Sequence, residues 1–183
     1  QTNLNCATIT TSKIYRFQGR HSCTDDNITQ NAGDAICIGV PDLPAFEANH
    51  EKAIRFDITV NPNNGYAGLT GVSFKELAPQ NYVWSAEGFA DNTGVNNFPT
   101  KFGIRVLKSG IEIFRAEDIA TSQSWETQSF DFIGLNDFKV NAITTFTIEM
   151  LAYDLIGNGE AVAAWDIDDL QVFGGCCSPE TFD

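Results

Sequence analysis

The chain has 183 residues, 24 Asp and Glu against 11 Lys and Arg, and a net charge of −13. That length suits one domain, and the charge excludes nucleic acid and anionic membrane surfaces as partners, since both need a basic footprint. With 43% apolar residues it is not a disordered acidic tail, and no apolar run approaches the ~20 residues of a membrane span.

Residues 1–17 are rich in Thr and Ile, with Lys13 and Arg16 as their only charges. Such β-prone composition predicts either the first strand of the domain or an arm donated to the sheet edge of a neighbouring copy, with Ile9, Ile14, Tyr15 and Phe17 as its grip. Residues 18–175 are then the globular domain, and 176–183 a tail with vicinal cysteines.

From residue 54 the periodicity is two. Ile54, Phe56, Ile58 and Val60 alternate with Arg55, Asp57 and Thr59, the pattern of a half-buried strand. Pro62-Asn63-Asn64-Gly65 turns the chain into a second strand over 69–74. A long excursion over 79–101 follows. Phe102, Ile104 and Val106, then Lys108-Ser109-Gly110, then 111–114, read as a hairpin. A short helix over 116–121 is an option. Phe130 and Phe132, and Phe146, Ile148 and Met150, mark two more strands, and 161–173 the last. In that last strand Trp165 and Ile167 have one parity and Leu170 and Val172 the other, so a β-bulge is expected at Asp168-Asp169. Many short strands without a helical layer predict an all-β, two-sheet antiparallel β-sandwich of jelly-roll type.

Five cysteines fit an oxidising compartment, and an opening residue Gln1 is what a removed secretory leader leaves. A secreted, extracellular or cell-surface protein is expected. Cys23 and Cys37 bracket a polar loop as a local pair, while Cys176 or Cys177 can reach back to Cys6. An odd thiol remains. Asn27-Ile28-Thr29 is a glycosylation triplet.

The runs Ile54-Arg-Phe-Asp-Ile-Thr-Val, Asn-Pro-Asn-Asn-Gly-Tyr and Leu69-Thr-Gly-Val-Ser-Phe resemble bacterial secreted jelly-roll domains, including exported proteins with exosortase or gliding-type sorting tails. The ending Ala164-Trp-Asp-Ile-Asp-Asp-Leu-Gln-Val-Phe-Gly is similar to the last strand of those domains, of carbohydrate-binding modules and of MAM-type adhesion domains. The resemblance implies sugar binding, adhesion or fibre construction rather than catalysis. It also implies a structural calcium joining an early loop to the last strand, with Asp34, Asp166 and Asp168 as ligands; carboxylate oxygens are the donors that this hard cation takes.

His21 and His50 lie near no nucleophile motif, so no enzyme is expected. Two functions remain. The first is a non-catalytic structural or adhesive subunit of an extracellular filament or surface layer, polymerising with copies of itself by β-strand addition. The alternative is a carbohydrate-binding, lectin-like module, calcium-dependent, that stacks polysaccharide on Tyr82, Trp84 or Trp125.

Overall fold

A computed structural model describes residues 2–4, 6–12, 36–40, 44–46, 53–63, 65–80, 82–85, 88–91, 96–156 and 163–177. The strands begin with β1 (Thr2–Leu4), β2 (Ala7–Thr11), β3 (Ile36–Val40), β4 (Ile54–Pro62) and β5 (Tyr66–Leu77). Next come the hairpin β6 (Tyr82–Ser85) and β7 (Gly88–Asp91), then β8 (Phe98–Lys108), β9 (Ile111–Ala120) and β10 (Glu126–Asp131). A 3-10 turn, Asn136–Phe138, leads to β11 (Lys139–Val140), β12 (Thr144–Ile156) and β13 (Ala163–Cys177). No described helix is long and apolar enough to cross a membrane.

Two antiparallel sheets face each other as a jelly-roll-type sandwich. The first has the order β1-β2-β4-β12-β8-β9; the second has β10-β5-β13-β3, with β11 also on β5. Alternation dictates which side chains meet between them. Ile54, Phe56, Ile58 and Val60 of β4, Phe146, Ile148 and Met150 of β12, and Phe102, Ile104 and Val106 of β8 are buried from the first sheet. Leu69, Val72 and Phe74 of β5 with Trp165 and Ile167 of β13 close the core from the second. Trp165 lies 5.5 Å from the Phe102 ring and 6.4 Å from Phe74. At the opposite end Phe138 stacks between Phe132 (4.1 Å) and Phe146 (5.8 Å). The bulge in β13 is present: the register shifts between Asp168 and Gln171, and Asp169 has φ 49°.

Residues 116–121 contain no helix. As far as Ala120 they continue the edge strand β9, because the free side of β8 offers the backbone a ladder, and Asp118 (φ 58°) interrupts it as a bulge. The N-terminal stretch is a strand of its own sheet over residues 7–11, registered Ala7↔Pro62 to Thr11↔Ile58 on β4. Ile9, expected on a donated arm, is buried in its own core; Ile14, Tyr15 and Phe17 lie outside the described residues. Cys6 is bonded to Cys176 with Cα atoms 5.7 Å apart, which ties the start of the first sheet to the end of the second. Cys23 lies outside the described residues, as do the side chains of Cys37 on β3 and Cys177 at the end of β13.

Candidate functional site

The end of the sandwich at which β5, β9 and β12 finish carries a loop, residues 121–125, built on a buried acid. Glu76 has no exposed surface. It stands on the same parity as Val72 and Phe74, so it faces inward where an apolar residue would be expected. The reason is Trp165: a buried indole N–H needs an acceptor, and Nε1 donates to Glu76 Oε2 at 3.0 Å. The other oxygen accepts from the backbone N–H of Ser122 at 2.7 Å. Ser122 O in turn accepts from Ala78 N at 2.7 Å. Both backbone groups of Ser122 are therefore fixed to the end of β5. Burial pushes the Glu76 carboxyl up to about 7, against the opposing pull of the Trp165 and Ser122 hydrogen bonds.

That anchor presents a polar surface with one aromatic. Gln80 Nε2 donates to Gln123 Oε1 across the two loops. Ser124 N donates to Ser122 Oγ at 3.2 Å. Trp125 follows, half-buried, immediately before β10. Thr121 extends the surface toward β8, its N–H donating to Thr100 O at 3.1 Å and its hydroxyl to Pro99 O at 2.5 Å. Beside it Lys101 Nζ stands 3.2 Å from Asp118 and 3.5 Å from Asp154. Both aspartates have left-handed backbones (φ 58° and 59°), and Thr100 Oγ1 donates to Asp154 Oδ2 at 2.8 Å.

Tyr82 and Trp84 lie two apart on β6, opposite Asp91 and Phe89 of β7; their side chains fall outside the described part. The hairpin packs on β13. Trp125 is thus the one expected platform whose setting is defined. Its sequence neighbours pointed to it, whereas the anchor Glu76 was missed. The alternation Val72, Phe74, Glu76 carried the signal.

The proposed metal ligands divide. Asp34 lies outside the described residues. Asp166 and Asp168 share the face of β13 opposite Trp165 and Ile167. Asp166 is wholly buried, neither carboxylate oxygen has a hydrogen-bond partner, and burial alone pushes it up to about 8. Asp168 is half-buried, and its Oδ1 accepts from Asp169 N at 2.7 Å. Among the described residues no group of three or more His, Cys, Asp or Glu could hold a metal ion. His21 and His50 also lie outside the described residues.

The fold and this end of it define a two-sheet β-sandwich with a rigid, polar, aromatic-bearing loop. No protein family and no curated protein matches the chain. Among solved structures it is similar to TmCBM61 in complex with β-1,4-galactotriose, at 13% identity over 91% of this chain and 87% of that one, with a TM-score of 0.38. It is also similar to a family 35 carbohydrate-binding module from an environmental isolate, at 9% identity over 93% and 95%, with a TM-score of 0.38.

Proposed function

We propose that the chain is an extracellular, non-catalytic carbohydrate-binding module whose loop end takes a polysaccharide. The observation that carries this reading is Trp125 on a loop pinned by Glu76 and bordered by Gln80, Gln123, Ser122 and Ser124. An indole face stacks on the apolar C–H face of a pyranose, and amides and hydroxyls exchange hydrogen bonds with its hydroxyl groups. A loop already held in place loses little conformational freedom on binding, which favours affinity. Tyr82 and Trp84, on the β6–β7 hairpin, are the further candidate platforms that the aromatic content offers. The Cys6–Cys176 disulfide supports an oxidising, extracellular setting. A strand donated between copies has no vacancy on β4, since β2 occupies that edge.

Calcium belongs to the same proposal. Asp166 carries two buried oxygens without a donor, a setting that a divalent cation would satisfy. Asp166 and Asp168 would hold it, with Asp34 as the third carboxylate. Bound there, it would neutralise the carboxylates and brace the second sheet.

Affinity electrophoresis through gels containing xylan, β-glucan, galactan or mannan tests the binding reading. Retardation by at least one polysaccharide, reduced in Trp125→Ala, is expected. Mobility unchanged in every gel would end the proposal.

A further inference from the structure

A groove of about 350 Å³ opens on the outer face of the second sheet, toward the other end of the strands that carry the loop. Its floor is Gly71 of β5, the cross-strand partner of both Asp131 on β10 and Phe173 on β13. Val72 points into the core, so Gly71, Ser129, Asp131 and Phe173 belong to the opposite face. A Cβ at Gly71 would stand 2.8 Å from the Phe130 carbonyl oxygen and 3.7 Å from Phe173 Cδ2. Any side chain there would therefore fill the groove and push against backbone.

Phe173 is 44% exposed in the middle of a ladder rather than at a loop tip. Gly174 and Gly175 follow it, and Gly71 lies opposite, so no cross-strand side chain covers the ring. Glycine in a strand interior costs stability. Here it leaves an aromatic face bare on a rigid support. Ile133, 73% exposed, forms the second apolar wall. On the rim, Asp131 Oδ1 accepts from Ile133 N at 2.7 Å, which fixes the carboxylate beside the groove. Ser129 and Thr70 add hydroxyls.

A bare ring face beside a fixed carboxylate and hydroxyls is matched by a sugar ring, which has an apolar face and an equatorial rim of hydroxyl donors. Asp131 and a net charge of −13 oppose an anionic ligand. We propose that this groove is a second glycan subsite, selective for neutral sugars, with Phe173 as its platform and Asp131 as its hydroxyl acceptor. The ligand class rests on the carbohydrate reading above; the site does not. Phe173 stands eight residues beyond Trp165 on β13, about 25 Å at strand spacing. The two sites would engage separate stretches of one polymer, so polysaccharide binds more tightly than its oligosaccharides through effective concentration.

Amide-resolved NMR titration of the whole chain with xylotetraose, cellotetraose, galactotetraose and mannotetraose separates the possibilities. The expected result is saturable shifts at Gly71, Ser129 and Gly174 in addition to residues 122–125. Phe173→Ala, an exposed position compatible with folding, should weaken the groove set about three- to tenfold and leave the loop set unchanged. Shifts confined to residues 122–125 overturn the second site and leave the carbohydrate reading standing. Shifts confined to the groove support the second site and remove the loop site. No shift in either set with any tetraose overturns both.

Discussion

Glu76 couples the core to the loop that bears Trp125, and its titration makes that coupling measurable. An unfolded chain would ionise this carboxyl near 4.5, whereas the folded protein holds it up at about 7. The folded state therefore binds the proton more tightly, and stability falls as pH rises from about 4.5 through 7, by on the order of 3 kcal/mol. In Glu76→Gln the amide NH2 must face one of two N–H donors, from Ser122 or Trp165, at a cost of about 1–3 kcal/mol. That variant should melt below the parent at pH 5, with the gap closing toward pH 8; parallel melting curves across that range would remove the assignment. Asp166 is the second such residue. Asp166→Asn eliminates a buried, unpartnered charge, so in EDTA at pH 9 it should be more stable than the parent by about 1–3 kcal/mol. Calcium should then raise the melting temperature of the parent and leave the variant unmoved. A parent indifferent to both EDTA and calcium would exclude the metal. Both acids were visible as letters, but their burial was not. Glu76 follows the inward parity of Val72 and Phe74, a signal overlooked because charge outweighed periodicity. Asp166 was singled out by resemblance, and its lack of a partner is a property of packing that spacing does not encode.

At the level of elements, period-two alternation marked β4, β8, β12 and the bulged β13, because one face of each is buried and a half-buried strand must alternate. It failed over residues 116–121, where β9 is an edge strand with no fully buried face and hence no strict pattern. The N-terminal strand was ambiguous for a related reason. Composition signals β-propensity but not which chain supplies the partner, and the choice is decided by β4 and by the Cys6–Cys176 bond. That bond spans a sequence separation of 170, for which loop-closure entropy gives an upper estimate of about 5 kcal/mol. Cys6→Ser should lower stability by about 2–5 kcal/mol, and hydrogen exchange should speed up first in β1 and β2, which the bond holds to β13. Unchanged exchange in β2 would show that the ladder with β4 suffices.

The whole molecule is a sandwich that carries the two proposed surfaces, the loop end around Trp125 and the outer sheet face around Phe173. Its fold class was legible because strand periodicity, Gly- and Asn-bearing turns and the missing helical stripe agree. The loop site was legible only as aromatic letters in polar loops, since its geometry depends on a buried hydrogen bond between strands 89 residues apart in sequence. The groove was not legible at all, because Gly71, Asp131 and Phe173 become neighbours only through strand register. Isothermal titration of the parent and of Trp125→Ala with the polysaccharide retained most strongly tests the central claim. Saturable heat for the parent, with affinity reduced about tenfold or more in the variant, is predicted; equal affinity in two folded proteins would contradict it.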